Sequence, residues 1–290
     1  MNFDEILSEA RAAQKRGYGE YITVGGVRIR YVTAGSGAPV FLLHGLGEFL
    51  ETWTFNLPPL SRRYRVYALD SPGHGLSDKA ESCYALDEAT RFGVDILDAF
   101  GVPSAALIAH SLGGAVGINM AVNHPERISR LVVVDPAGLL AELPLFYRLA
   151  SLPVWGAMAV NLIIKPLLEM GIRKLFYDPG FLSQEMLDLA WKYFDMPGRK
   201  ESLHQIIRKN ANLRGVRPEA MLREKVQRLK VPTLFVHGAQ DSLFPLTEVR
   251  EVVKMVPGAR MEVIDRCGHC PQIEQAVEFN EVVMAFLNSD

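Results

Sequence analysis

Three side chains far apart in the chain could together do nucleophilic chemistry: Ser111, Asp241 and His269. In "ALIAHSLGG", Ser111 falls where an apolar strand-like run ends and a helix with small first-turn residues begins. A serine on such a turn projects its hydroxyl from the sheet and aims the next backbone N–H groups at the same space. Ala109, Gly113 and Gly114 supply the small neighbours that a close strand-to-helix passage needs. The bland alternative is a serine that only caps the helix. A serine hydroxyl is a weak nucleophile, so it needs a base to take its proton and a third group to hold the base in the right tautomer. His269 in "DRCGHC" offers the base and Asp241 in "VHGAQDSLFP" the third group. Asp135, after "RLVVV", is the rival acid.

Acyl transfer also needs donors for the oxyanion, usually two backbone N–H groups. Leu112, directly after the serine, supplies one. The loop "LLHGLGEF" supplies the other from Leu46, with His44 expected as a structural hydrogen-bonder. The Leu46 and Leu112 side chains, with Cys270, are then expected in the substrate pocket.

Those residues need a scaffold that brings them together, and the runs around them describe one. Short β-branched-rich segments recur, from "EYITV" and "VRIRYVTAG" through "PVFLLHG", "YRVYALD", "AALIAHS", "RLVVVDPAG" and "PTLFVHG" to "RMEVID". From the third onward they read as buried strands. Helix-length segments such as 86–100 and 112–123 lie between most of them, the alternation of a parallel sheet with helices on both faces. The first two runs, closely spaced and amphipathic, read as an antiparallel edge hairpin. The loops carrying Ser111, Asp241 and His269 then share the sheet's carboxyl edge. The class is α/β, with eight strands, mostly parallel. Between Pro136 and Val231 only helical patterns occur, such as "LSQEMLDLAWKYF" and "KESLHQIIRKNANL", too long a stretch for a structureless loop. We therefore read residues 1–136 and 231–290 as the core domain and 137–230 as an inserted helical cap.

The chain has 290 residues, about half apolar, and a net charge of −2 with mixed signs, which argues against a nucleic-acid partner. Ten Lys or Arg against three Glu in 199–230 read as solvated helix faces, with a carboxylate-binding role as the minority reading. "MNFDEILSEARAAQKRGYGEY" starts acidic and lacks the apolar run of an export signal. The longest stretch free of charged residues and histidine, Leu149 to Ile164, has 16 residues, short of the ~20 of a membrane span, so stable membrane insertion is not expected. Three cysteines, Cys83, Cys267 and Cys270, make no disulfide framework and fit a reducing cytoplasm. "CGHC" spells a dithiol redox motif, but the 20 residues after Cys270 form one amphipathic helix and leave no room for the fold that such a site needs. A zinc site would need more ligands at ligand spacing. No cofactor or metal is implied, and the oligomeric state cannot be read.

"HGLGEFLETW", "DSPGHGLSD", "AHSLGG", "HGAQDSLFP" and "GHCPQIEQAVEFNEVVMAFL", in this order, resemble the α/β-hydrolase superfamily from about Tyr21 to the C-terminus. The resemblance implies Ser111, Asp241 and His269 as the triad and "DSPGHGLSD" as a structural turn. Ala109 departs from the family's Gly-x-Ser-x-Gly. A serine, not an aspartate, at the nucleophile disfavours dehalogenase and epoxide-hydrolase branches. Carboxylesterases, lactonases and carbon–carbon bond hydrolases of vinylogous diketo acids remain. Cys270 in place of the last group's usual tryptophan, and "LGEF" in place of its Ser-Gly-Pro-Gly-like loop, favour the esterase. A receptor-like binding protein that keeps the triad is the non-enzymatic alternative. "LPLFYRLASLPVWGAMAVNLII" is too apolar for a solvated face, so it is expected to pack on the core or line the cavity above Ser111. Such a roof predicts a small-molecule ester substrate with a short to medium apolar or aromatic acyl group.

Overall fold

Each of the eight apolar runs forms a strand of one sheet. The computed structural model describes residues 19–289; most of the stretch read for an export signal, residues 1–18, lies outside the described residues. In chain order come β1 (Glu20–Val24), β2 (Val27–Ala34), β3 (Pro39–Leu43), helix α1 (Leu57–Ser61), β4 (Arg65–Leu69), α2 (Leu86–Ala99), β5 (Ala105–His110), α3 (Ser111–Asn123) and β6 (Ile128–Val134). The chain then leaves the sheet for α4 (Leu145–Ala150), α5 (Pro153–Asn161), α6 (Lys165–Arg173), α7 (Gln184–Phe194) and α8 (Arg199–Asn210), followed by a short hairpin of β7 (Ala211–Asn212) and β8 (Gly215–Val216). It returns as β9 (Thr233–Gly238), α9 (Leu246–Val253), β10 (Arg260–Ile264), α10 (Pro271–Glu274) and α11 (Ala276–Leu287). The sheet order is β1-β2-β4-β3-β5-β6-β9-β10. β1 pairs antiparallel with β2, and β2 with β4; every other pairing is parallel.

Alternation along the strands makes two cores, one on each face. Phe41, Leu107, Ala109, Leu131 and Val133 face α2, α3 and α9. Val40, Leu42, Ile108, Val132 and Val134 face α1 and α11. The inner strands β5 and β9 are buried at every residue. β10 departs from that expectation: it is the far edge strand, and Arg260 and Glu262 are exposed.

Two further expectations need correction. Residues 137–230 are not helical throughout, because Gly215, at φ 122°, lets the chain reverse into the β7–β8 hairpin; two-residue strands are too short to show a period. The apolar stretch 143–164 does not wholly pack inward. Leu143, Tyr147 and Ile163 line the cavity above Ser111, yet Val154, Trp155 and Met158 are exposed. Among the described residues, no single helix is long and apolar enough to cross a membrane.

Candidate active site

Ser111 sits between β5 and α3 with φ 51°, one of three described non-glycine residues at positive φ. That conformation is costly for a residue with a Cβ and persists only where the surroundings impose it. They do so by close approach: a Cβ on Gly113 would lie 2.6 Å from the carbonyl oxygens of both Leu43 and His44. Ala109 is accommodated because Gly117 faces it; a Cβ there would stand 3.0 Å from that of Ala109.

The loops after β9 and β10 bring the other two residues to this turn. His269 Nε2 lies 3.1 Å from Ser111 Oγ, and His269 Nδ1 lies 2.9 Å from Asp241 Oδ2. The other Asp241 oxygen accepts the backbone N–H of Leu243 at 2.7 Å and of Phe244 at 3.3 Å. Burial pushes the Asp241 carboxyl up, but His269 and these donors outweigh it and bring it down to about 2. An ionised Asp241 accepts a hydrogen bond from the Nδ1–H of His269, the tautomer that leaves Nε2 free to accept from the serine.

Asp135 is at the same sheet edge but serves a different partner. Its Oδ1 lies 2.8 Å from His237 Nδ1 and accepts the N–H of Gly238 at 3.1 Å. His237 Nε2 donates to the Phe244 carbonyl at 2.9 Å. Burial alone would lower His237, yet Asp135 outweighs it and lifts it to about 9. Asp135 and a charged His237 form a buried ion pair behind Asp241.

A second ion pair flanks the serine, and its members had no chemical role in the sequence reading. Glu48 lies 3.0 Å from His110 Nδ1, and His110 Nε2 donates to the backbone oxygen of His269 at 2.7 Å. Burial pushes Glu48 up, but His110 and the Gly45 N–H outweigh it, to about 2. Glu48 lines the cavity beside Ser111: a Cβ on Gly45 would stand 2.9 Å from Ser111 Cβ and 3.2 Å from Glu48 Oε1. The available signal was two ionisable residues, one directly before the serine and one in the loop after β3. Glu274 is the other missed residue. Its carboxylate accepts the N–H of Gly268 at 2.7 Å and of Asp178 at 2.6 Å, which ties the His269 loop to the inserted helices.

One cavity of about 1480 Å³ opens above Ser111, and Leu46, Leu112, His269 and Cys270 stand in its wall. Leu46 and Leu112 flank the serine, where their backbone N–H groups were expected; the Gly45 N–H is already taken by Glu48 Oε2 at 2.8 Å. His44 accepts the Ser71 N–H at 3.0 Å and holds the Gly45 carbonyl through Nδ1 at 2.8 Å, a bracing role. The wall is mainly apolar. Among its described residues the cations are Arg30, bonded to Glu51 at 2.6 Å and Asp70 at 3.2 Å, and the exposed Lys192. None of the ten cations of 199–230 is in the wall; that stretch contributes uncharged residues, among them Leu203, Ile206 and Ile207. Cys267 and Cys270 are free thiols, buried, and pushed up by that burial, so neither is a thiolate at neutral pH. Glu48, His110 and Cys270, and likewise Asp135, His237 and Asp241, offer donor atoms close enough to hold an ion. In the first set Glu48 is paired with His110; in the second Asp135 is paired with His237, and Asp241 is bonded to His269.

Known proteins share the fold. A family model described as the alpha/beta hydrolase fold matches residues 38–276. The dihydrolipoyllysine-residue acetyltransferase component of the acetoin cleaving system of Pseudomonas putida is 34% identical over 286 residues, covering 98% of this chain and 73% of that protein. The 2-hydroxymuconate semialdehyde hydrolase of Pseudomonas sp. strain CF600 is 29% identical over 273 residues, 93% of each. A solved meta-cleavage product hydrolase from Pseudomonas fluorescens IP01 superposes with a TM-score of 0.79 at 27% identity, covering 93% of this chain and 98% of that one.

Proposed function

This chain belongs to the α/β-hydrolase fold family, and we propose that within it the chain is a serine hydrolase that cleaves uncharged apolar acyl compounds, esters foremost, through an acyl-enzyme. The observation that carries the proposal is the unbroken relay Asp241–His269–Ser111 at the floor of a mainly apolar cavity. Ser111 Oγ attacks the carbonyl carbon as its proton passes to His269 Nε2, and the N–H groups of Leu46 and Leu112 hold the oxyanion. The C–O bond then breaks and the leaving alcohol takes the proton from His269. Water attacks the acyl-enzyme by the same route in reverse roles, releasing the acid and restoring Ser111. Residues 137–230 are the cap over this cavity; 1–136 and 231–290 are the catalytic core.

The relatives' names favour a second reading, hydrolysis of a carbon–carbon bond in a vinylogous diketo acid. The same triad serves it, with an enolate as leaving group, and the same attack would open a lactone. The readings differ in what must hold the substrate's carboxylate. Arg30 is spent on Glu51 and Asp70, and the Glu48 carboxylate stands beside the nucleophile, so the wall supports a neutral acyl group better. Parallel kcat/KM values for p-nitrophenyl acetate, p-nitrophenyl hexanoate and a 2-hydroxy-6-oxo-dienoic acid test this. The proposal expects hexanoate to exceed acetate, since four added methylenes at ~0.8 kcal/mol each are worth about a hundredfold. A diketo acid cleaved far better than either ester would establish the carbon–carbon hydrolase instead.

A further inference from the structure

Among the described residues, ten of the thirteen large apolar side chains that stand exposed fall within residues 145–170, so the exposure is concentrated on one face. That face is the outside of α4, α5 and α6. Helix α5, "PVWGAMAVN", has no charged residue and therefore no polar side to give to water. Gly156 presses it against α4, since a Cβ there would lie 2.3 Å from the Ala150 carbonyl oxygen. The close approach leaves the large side chains on the outside: Trp155 is 70% exposed, Val154 66% and, at the turn into α6, Leu162 70%. A soluble surface rarely concentrates so much apolar area without something to cover it.

Two observations say what covers it. The patch is continuous with the cavity, because Phe146, Leu162, Leu167 and Met170 are exposed and also form part of the cavity wall. Within the segment that carries the patch the charge is also mainly positive. Residues 143–176 contain Arg148, Lys165, Arg173 and Lys174 against Glu169 alone. Lys165 is neutralised by Asp188 at 2.6 Å, whereas Arg148 and Arg173 donate to backbone carbonyls, which leaves their charge uncompensated by those partners. An apolar face with an indole and a cationic rim suits the boundary between headgroups and acyl chains of an anionic lipid layer. A second copy of this chain on the same face would seal the cavity mouth. A fluid lipid layer would cover the face and still supply apolar molecules through it.

We propose that the outer face of α4–α6 seats on an anionic lipid surface, with the cavity mouth turned toward the acyl phase so that an apolar substrate reaches Ser111 from the bilayer. No single helix of the face is long enough to span it, and α5 and α6 meet at 96° and so do not stack into one rod. Only the fate of the delivered molecule rests on the proposed hydrolysis; the docking does not.

The test is co-sedimentation of the full chain with vesicles of phosphatidylcholine containing one-third phosphatidylglycerol, and with vesicles of phosphatidylcholine alone. Neither needs turnover, so failure of the hydrolase reading would leave this result standing. The chain is expected to pellet with the anionic vesicles, and less at high salt or without phosphatidylglycerol. The triple variant Val154→Glu, Trp155→Glu, Met158→Glu should lower the bound-to-free ratio at least about tenfold, because it replaces the buried apolar contact with charge. Trp155→Ser alone should lower it in the same direction, and circular dichroism and the melting temperature establish that both variants are folded. A chain that stays in the supernatant with both vesicles, or a folded variant that pellets as well as the parent, overturns the proposal. So does a parent that is dimeric by light scattering, is indifferent to vesicles and becomes monomeric in the triple variant, which would assign the face to a second copy.

Discussion

Replacing Asp241 by Asn keeps the volume and removes one charge, and the surrounding hydrogen bonds dictate how the new amide must sit. The Leu243 and Phe244 N–H groups donate to one Asp241 oxygen, so the amide carbonyl must stay there and the NH2 must turn toward His269 Nδ1. An NH2 facing Nδ1 requires that nitrogen to accept, which moves the imidazole proton to Nε2. Nε2 then presents a proton to Ser111 Oγ, 3.1 Å away, and cannot take one. A wrong tautomer of this kind costs about 10⁴ in kcat, roughly 5 kcal/mol of transition-state stabilisation. Asp135→Asn makes the contrast. It disrupts the ion pair with His237, so the melting temperature should fall, but it touches neither nitrogen of His269, and kcat should stay within about tenfold. Stopped-flow or steady-state kcat on p-nitrophenyl hexanoate, read beside thermal melts, measures both. If Asp135→Asn abolished turnover while Asp241→Asn retained it, the tautomer argument would be refuted and the acid would belong to β6.

Replacing Cys267 and Cys270 together by serine should leave ester hydrolysis within about tenfold, because neither neutral thiol has a step; disulfide-exchange activity in the parent would contradict that. Glu48→Gln removes the negative charge beside Ser111 and should raise kcat/KM for an anionic acyl group relative to a neutral one by roughly tenfold; an unchanged ratio would show that Glu48 does not govern acyl charge. Thermal stability should be greatest between about pH 4.5 and 6.5. Glu48 and Asp241 are lowered to about 2 from 4.5 and 3.8, so their contribution is present above those values and fades as pH falls toward 2. His237 is raised from 6.5 to about 9, so its contribution is full below 6.5 and fades as pH rises through 9. His237→Gln should flatten the alkaline limb, and an unaltered limb would assign that pH dependence elsewhere.

Much of this architecture could be read from the sequence because its signals are local. Strands buried on both faces, such as "AALIAH" and "TLFVHG", are short continuous apolar runs; Ser111 follows the first directly and Asp241 stands in the loop after the second, whereas His269 follows the partly exposed edge strand β10. The acid was less legible. Asp135 and Asp241 both follow buried strands, and only the partner each meets in space, His237 or His269, distinguishes them. Glu48 and His110 are 62 positions apart, and a pair that distant has no sequence period to reveal it. The apolar stretch 143–164 misled for a related reason: hydropathy reports that Trp155 avoids water, and the close packing of Gly156 on Ala150 decides that it faces outward.

The central claim is that Ser111 carries the acyl group, and covalent labelling tests it most directly. An activated serine attacks the phosphorus of a fluorophosphonate and displaces fluoride, so the chain should take up one equivalent by intact mass, with the label on the Ser111 peptide. Ser111→Ala should be folded, unlabelled and at least a thousandfold slower on p-nitrophenyl hexanoate. Label at another residue, or a Ser111→Ala variant that keeps more than a hundredth of parental kcat, would contradict the account.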